Sequence, residues 1–559
     1  MPLLREPPPA TTQRCLRYAA TATAAIVLAA ALITTLVLRL PALRVLSSSP
    51  SPTPPRSVLA VAELPPLDPS CDPSTIRRLL VQHPSGGPVL IRGFTRQCAP
   101  HLDSWASLGG LAMRAHHPLI NIRRRRTQQS GGTFVPYDAS RPWSAAVPRA
   151  EEEEWVDSMS LAAFAELAEV NGRSSGGGGS SRSSHHHYVY GQVDRHLGSV
   201  LHRETQPLVD IANGYGSDGD GSSGEDCTTA SFFLSSGAAG TGAATHYDAL
   251  HNFYVQLAGR KRWRIWSPAH IRALCFHPAL DPRAAVSKIL GDAPADNIDG
   301  GSGSGSGGSS ISGSSSGSSF SGSSSVCPTA SGARSTVAVI EPGDLLYVPP
   351  YHPHRVTALS PASVSIYSWS AVRVDAAVQA LEAEPDFTPF AGGQDRDFAE
   401  GVAGLLVYIK LALERAARVS GSAATLHGRY SGGGSVEAVV QHAVLSTPTM
   451  VTNLRAVCRE AWPAPPSELV PPDTMRLLKQ FVSRLKAVPG LMAGAEAGIS
   501  SREGTRASLS RRAVRDVLVS DHVERIVVRA FGAFAAAAFF KECLGKLDTE
   551  KRKNDPKPV

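Results

Sequence analysis

Residues 246–268 read HYDALHNFYVQLAGRKRWRIWSP, and residues 343–356 read GDLLYVPPYHPHRV. Both stretches are rich in aromatic and β-branched residues and contain glycine or proline turn signals, a pattern typical of β-strands. Because side chains alternate across a strand, His246 and Asp248 are expected to point the same way, toward a barrel interior. The second stretch offers two further histidines, so two imidazoles and one carboxylate can meet on one face. That ligand set leaves open coordination positions and suits non-haem Fe(II).

Strand patterns continue on both sides of these stretches. Between Ser231 and Ser370, short runs such as SFFLSS, STVAVIEPGD and SVSIYSW are separated by turn signals, which predicts an antiparallel barrel or sandwich. Upstream, CDPSTIRRLLVQH predicts a capped helix, GPVLIRGF a strand, and residues 159–170 a further helix. After about residue 375, apolar residues recur at three- and four-residue intervals, so residues 376–559 are predicted to be helical, ending in a disordered basic tail.

Three Gly- and Ser-rich inserts interrupt the β region, at 174–187, 216–226 and 300–325. None can bury enough apolar surface to offset its chain entropy, so each is predicted to be a flexible surface loop. The run His185–His187 is therefore interpreted as the end of a loop rather than as a metal site.

Taken together, the two quoted stretches resemble the jumonji C family of 2-oxoglutarate-dependent oxygenases, in particular its cupin-like hydroxylase branch. Residues 246–262 resemble that branch's H-x-D-x-x-x-N-F-x-x-Q-x-x-G-x-K-R segment, and residues 343–354 are similar to its G-D-x-L-x-x-P-P-x-x-x-H segment. The resemblance covers about residues 63–375. It implies a mainly β catalytic domain, a double-stranded β-helix or jelly-roll cupin, with flanking helices.

The resemblance also implies a set of metal ligands. Counting from the Pro349-Pro350 pair, the family's third ligand falls on His354 rather than His352. Fe(II) would then be held by His246, Asp248 and His354, and His352 would lie at the rim of the pocket.

In such enzymes 2-oxoglutarate chelates the iron, and a basic side chain pairs with its far carboxylate. The resemblance assigns that role to Lys261, places Asn252 near the cosubstrate, and suggests that Tyr190, Ser365 and Tyr367 contribute polar groups to the same pocket. Lys261 would share a hairpin face with apolar and aromatic side chains, as a buried anion anchor should.

One position departs from the family pattern. Relatives usually have Thr or Ser three residues before the first histidine, where it donates a hydrogen bond to 2-oxoglutarate, and here that position is Ala243. Thr245 or Thr241 could substitute only if the strand register differs. The loss of one hydrogen bond to a charged group is worth roughly 1.5–3 kcal/mol, so binding would be weakened rather than abolished.

The favoured function is an Fe(II)- and 2-oxoglutarate-dependent dioxygenase that hydroxylates a protein side chain. Two alternatives remain: a non-catalytic cupin-type binding module, and a related oxygenase acting on a small molecule, a glycan or a nucleic acid. The expected partner is an unknown protein or peptide. The C-terminal helices could pack as a cap on the barrel or form a homodimer.

The N-terminus predicts a membrane attachment. Residues 1–17 form a short tail, 18–38 are 21 uncharged residues long enough to span a bilayer, and 39–62 contain a Pro- and Ser-rich stem. A type II signal-anchor with a lumenal catalytic domain, in the ER or Golgi, is the favoured location, with a secreted or plastid protein as alternatives. Cys71 and Cys98 could pair in such a compartment, although free buried thiols are also open.

Composition excludes other classes of protein. The 559 residues are 42% apolar and 18% charged, which allows a globular core and rules out a fully disordered chain, a coiled coil or a polytopic membrane protein. The net charge is +7, and its densest run, Arg123–Arg126, is interpreted as a solvated turn or strand edge. Nucleic acid is therefore an unlikely partner.

Overall fold

A computed structural model describes residues 61–370, with gaps of which 175–184, 214–229 and 290–332 are the longest, and parts of 405–544, chiefly 435–461 and 502–544. The predicted tail, membrane span, most of the stem, the inserts at 216–226 and 300–325 and the basic tail lie outside the described residues. Among the residues that are described, no helix is both long and apolar enough to cross a membrane.

Two mostly antiparallel sheets form the β domain. The strands are β1 (Ala62–Leu64), β2 (Val89–Ile91), β3 (Leu119–Arg126), β4 (Thr133–Phe134), β5 (Glu153–Met159), β6 (His185–Gln192), β7 (Ala230–Ser236), β8 (Gly242–His246), β9 (His251–Ala258), β10 (Lys261–Trp266), β11 (Ser335–Ile340), β12 (Leu345–Val348), β13 (His354–Ala358) and β14 (Ala362–Ser370). The larger sheet has the strand order β1-β2-β12-β9-β14-β7-β6-β3-β5, and the smaller has the order β11-β10-β13-β8-β4. The predicted mainly β architecture is thus confirmed.

The space between the two sheets is filled by large apolar side chains. Trp263 and Ile265 of the smaller sheet pack there with Tyr254 and Leu346 of the larger sheet. Since side chains alternate along a strand, the neighbours of Tyr254 in β9 point away from this space, and Phe253 belongs to a second core on the outer face.

Short helices cover that outer face of the larger sheet. They are α1 (Pro73–Val81), α2 (Phe94–Cys98), α3 (Leu108–Ala112), α4 (Leu161–Ser174), α5 (Val193–His196), α6 (Ser199–Glu204) and α7 (Gln206–Asn213). Helix α1 begins as its sequence predicts, because the Asp72 carboxylate accepts a hydrogen bond from the Thr75 amide at 2.8 Å. The disulfide Cys71–Cys98 joins the residue before this helix cap to the end of α2.

The C-terminal helices pack on the rim of the β domain. They include α8 (Ser435–Ser446), α9 (Pro448–Ala461), α10 (Arg502–Phe531) and α11 (Ala533–Phe539). Their apolar residues share one core with Tyr247, Trp266 and Tyr351 of the β domain. In addition, the Trp143 indole donates a hydrogen bond to the Ala533 carbonyl at 2.7 Å. Packing on the barrel is therefore one role that these helices do perform.

The prediction for the run Arg123–Arg126 is wrong. This run lies in β3 and is neither a turn nor a sheet edge, because β3 pairs with β5 on one side and β6 on the other. Arg123 forms a buried ion pair with Glu153, and Arg124 pairs with Glu154. The acidic residues of the neighbouring strand thus compensate much of the positive charge.

The loop prediction for 174–187 is wrong at both ends. Helix α4 extends to Ser174, and His185–His187 are the first residues of β6, between β3 and β7. His186 and His187 are buried. Partners on both sides stabilise these residues as strand, which their Gly- and Ser-rich surroundings in the sequence did not indicate.

Candidate active site

Two strands of the smaller sheet bring the three predicted metal ligands together. His246 ends β8 and His354 begins β13, and the two residues are direct partners across the antiparallel pair. Asp248 lies two residues beyond the end of β8, not within a strand as the alternation argument assumed. One ligand atom from each residue can be chosen so that all three lie within 4.8 Å of one another.

Both imidazoles are held in the tautomer that a metal requires. Nδ1 of His246 lies 2.8 Å from the Ala244 carbonyl oxygen, and Nδ1 of His354 lies 2.9 Å from the His352 carbonyl oxygen. Because a carbonyl only accepts, each Nδ1 must carry the proton and donate it. Each Nε2 is then left with a free lone pair, which is the orientation seen for metal-ligating histidines.

The surroundings of His354 favour its neutral imidazole, and neighbouring side chains hold Asp248 and His354 in place. Burial, with the adjacent His246, lowers the pKa of His354 to about 4. The Asn252 side-chain amide donates a hydrogen bond to Oδ2 of Asp248 at 3.0 Å. The ring of Trp263 stacks on His354 with 5.2 Å between centroids, which limits rotation of the imidazole. Neutral nitrogens and a carboxylate form the facial set that suits Fe(II).

Lys261 is the buried cation of the same cavity. Its side chain is in β10 with Trp263 and Ile265 on the same face, and the residue is 4% exposed. Nζ donates a hydrogen bond to Oγ of Ser365 at 2.9 Å and lies 5.5–5.8 Å from the ring centroids of Tyr254 and Phe233. Burial lowers the pKa of Lys261 to about 7. No carboxylate among the described residues pairs with it.

A β-bulge decides which residues of β8 line the cavity beside the candidate metal ligands. Between His246–His354 and Ala243–Val356, β8 advances three residues while β13 advances two. The extra residue breaks the alternation of β8, so Ala243 and His246, three residues apart, both line the cavity. The departure at Ala243 therefore falls in the cavity itself. Thr241 also lines the cavity, whereas Thr245 does not.

The other predicted pocket residues occupy different positions relative to the cavity. Ser365 contacts Lys261 directly, and the Tyr367 ring stacks on Phe233 with 4.4 Å between ring centroids, within the core between the sheets. Tyr190 is 47% exposed and lies outside the wall, and Tyr188, two residues earlier on the same face of β6, is the tyrosine that lines the cavity. Tyr188 and Tyr190 share one alternation phase of β6, so the sequence pattern does not distinguish between them.

Several further cavity residues were not predicted, and two of them are polar or partly exposed. Ser235 of β7 and Trp369 of β14 both line the cavity. The alternation of SFFLSS was a sufficient signal for Ser235, since Phe233 and Ser235 share one face. His352, predicted at the rim, is buried, with Nδ1 3.1 Å from the Pro350 carbonyl oxygen.

A wider cleft opens next to the metal ligands. Asp248 and Trp369 line both this cleft and the cavity. The β domain also contributes Arg141, Tyr247 and Tyr351 to the cleft, and helix α10 contributes the opposite wall, which includes Leu518, Asp521 and Arg525. The cleft beside the candidate metal ligands is therefore bounded by the barrel rim and a C-terminal helix.

Comparison with known proteins identifies the family. No curated protein matches the chain significantly. A family model described as a cupin-like domain matches residues 82–371, which is more than half of the 559 residues. The match spans the three candidate metal ligands, the Lys261 strand and the bulge described above. The chain therefore belongs to the cupin-like domain family of the jumonji C type.

Proposed function

We propose that this protein is an Fe(II)- and 2-oxoglutarate-dependent dioxygenase that hydroxylates a protein side chain. The observation that carries the proposal is a single cavity that holds two correctly protonated imidazoles, one carboxylate and a buried lysine without an acidic partner among the described residues. The two imidazoles and the carboxylate would bind Fe(II), and the lysine would pair with one carboxylate of a dicarboxylate ligand.

The side chains have separate tasks in this proposal. His246, Asp248 and His354 hold Fe(II), while Lys261 pairs with the far carboxylate of 2-oxoglutarate. Bound Fe(II) with 2-oxoglutarate would supply the oxidising chemistry of hydroxylation, coupled to release of succinate and CO2. Aromatic walls such as Trp263 exclude water from the cavity, which strengthens the electrostatic contacts inside it.

The cleft supports a protein rather than a small-molecule substrate. It is wider than the cavity and is built from two separate parts of the chain, the barrel rim and helix α10. A side chain that enters from this cleft reaches Asp248 past Trp369, which is 37% exposed.

Turnover of 2-oxoglutarate tests the proposal. Purified full-length protein with Fe(II) and ascorbate should convert 2-oxoglutarate to succinate even without substrate. Asp248→Ala should abolish both succinate formation and stoichiometric iron binding, because it removes one of three protein ligands. His352→Ala is the control and should keep its iron, since its backbone carbonyl, which orients His354, is retained. Iron binding unchanged in Asp248→Ala would contradict the metal assignment.

The binding-module alternative is favoured by Ala243, which deprives the cavity of the usual hydroxyl. Iron and 2-oxoglutarate binding without any succinate formation would select it. Succinate formation stimulated by a glycan, nucleic acid or small molecule, but by no peptide, would select the third class.

We further propose a type II membrane protein with a lumenal catalytic domain. Disulfides Cys71–Cys98 and Cys458–Cys543 support an oxidising compartment. A glycosylation reporter at the C-terminus should become glycosylated, whereas an unglycosylated reporter in a plastid fraction would favour a transit peptide. A homodimer through the C-terminal helices also stays a proposal, tested by light scattering of the purified protein.

A further inference from the structure

The cavity contains a buried hydroxyl that has no partner among the described residues. Ser235 is 2% exposed and lines the cavity, and its Oγ has no hydrogen-bond partner within the described part of the chain. Burying a hydroxyl without a partner costs free energy, and a hydroxyl that lines a cavity can recover this cost by bonding to a ligand there.

Strand β7 directs this hydroxyl into the cavity that Lys261 also lines. Phe232 and Leu234 belong to the outer core of the larger sheet, so Phe233 and Ser235 face the cavity between the sheets. The Phe233 ring centroid is 5.8 Å from Nζ of Lys261. Ser235 is the next residue of that strand on the same face and lies about 7 Å along it.

The other small hydroxyls near the cavity are already engaged. Oγ1 of Thr241 is hydrogen-bonded to Nδ1 of His186. Oγ of Ser365 accepts hydrogen bonds from Lys261 at 2.9 Å and from the Tyr254 hydroxyl at 2.5 Å. Ala243, in the position where relatives supply a hydroxyl, has none.

We infer that Ser235 donates a hydrogen bond to the far carboxylate of 2-oxoglutarate. This bond replaces the one that a Thr or Ser at position 243 would donate. The ligand's carboxylate would lie between Nζ of Lys261, on the smaller sheet, and Oγ of Ser235, on the larger sheet. This inference rests on the proposed function, since it assumes that 2-oxoglutarate occupies the cavity. Ser235 is thus a ligand-binding residue that the family pattern does not indicate.

Calorimetric titration of 2-oxoglutarate into the Fe(II)-loaded full-length protein, without oxygen, tests the inference. Ser235→Ala should weaken binding by about tenfold or more, the value of one hydrogen bond to a charged group. Adding Ala243→Thr to that variant should restore the affinity to within about threefold of wild type. The free protein should lose no stability in Ser235→Ala, because no protein partner is lost.

Ser368→Ala is the matched control. Ser368 is also a fully buried serine whose Oγ has no partner among the described residues, but it does not line the cavity. Its variant should bind 2-oxoglutarate as wild type does.

Equal affinity of Ser235→Ala and wild type, with Lys261→Ala strongly weakened, would overturn the role of Ser235 and leave the proposed function intact. A loss that Ala243→Thr cannot restore would overturn the replacement of one hydroxyl by the other. No binding to the wild-type protein would defeat the proposed function itself.

Discussion

At the level of single residues, the contacts of Lys261 distinguish a ligand site from a structural ion pair. A buried cation normally has a carboxylate beside it, as Arg123 has Glu153 in this protein. Lys261 instead has a hydroxyl and two aromatic rings, which solvate an ammonium group only in part. Pairing with an anionic ligand would therefore recover part of the free energy lost when the Lys261 ammonium group is buried.

Replacing Lys261 by Ala should reduce the affinity for 2-oxoglutarate by about a hundredfold or more, because the ligand's carboxylate would be buried without its cation. Iron stoichiometry should not change, since Lys261 is not a ligand. Arg262→Ala is the control: this neighbour is exposed and on the other face of β10, so the variant should bind within about threefold of wild type. A larger loss in Arg262→Ala than in Lys261→Ala would contradict the assigned face. Titration calorimetry measures the affinity of all three proteins for 2-oxoglutarate.

The pKa of Lys261 predicts a pH dependence. Burial lowers that pKa to about 7 in the free protein, and pairing with a carboxylate in the complex should raise it. Below pH 7 the lysine is protonated in both the free protein and the complex, so it should cause no pH dependence of the affinity for 2-oxoglutarate. Above pH 7 binding must take up a proton, so affinity should fall by up to about tenfold per pH unit.

The Lys261→Arg variant is the control for this pH effect. A guanidinium stays protonated in this range, so any binding it retains should not depend on pH between 7 and 9. Titrations in two buffers of different ionisation enthalpy should show proton uptake for wild type only. Equal pH slopes for the two proteins would assign the effect to another group.

At the level of elements, helix α10 is tied to the β domain by a buried charge cluster. Arg429 is buried and pairs with Asp521 at 2.5 Å and Glu524 at 2.7 Å, both in α10. Glu524 also accepts a hydrogen bond from the Ala279 amide at 2.7 Å, in the segment that leads from the smaller sheet. The cluster thus holds the helix that forms one wall of the cleft.

Glu524→Ala should destabilise the protein by about 3 kcal/mol or more, because it removes one partner of a buried pair and leaves the Ala279 amide unbonded. The matched variant Glu437→Ala removes an exposed partner of Lys541 and should cost less than about 1 kcal/mol. Urea denaturation measures both free energies of unfolding. Similar values for the two variants would show that the buried cluster does not anchor α10.

At the level of the whole molecule, the C-terminal helices and the metal ligands are physically linked. Tyr247 lies between two ligands in sequence and packs in the core that the C-terminal helices share. The Tyr351 amide donates a hydrogen bond to the Asp248 carbonyl at 2.7 Å, and its ring belongs to the same core. Removal of the helices would expose this apolar surface right beside the site.

A chain that stops after residue 375 should therefore aggregate or bind iron weakly, since a large apolar patch would face solvent. A chain that ends at residue 545 retains the described helices and should behave as the full-length protein does. Size-exclusion chromatography and iron stoichiometry distinguish the two. A soluble, iron-binding fragment 1–375 would show that the helices are not needed to complete the site.

The sequence by itself determined most of the central strands and the candidate metal ligands. Alternation and turn residues predicted most strands from β7 to β14, because they are properties of neighbouring positions in the chain. His246 and Asp248 were predicted from their two-residue spacing, whereas His354 was assigned only by the resemblance of residues 343–354 to a family motif. Only the tertiary structure decided the β-bulge that turns Ala243 into the cavity, the strand partners of His185–His187 and the cleft against α10. These depend on contacts between residues far apart in the chain, and local periodicity contains no information about which distant strand or helix supplies them.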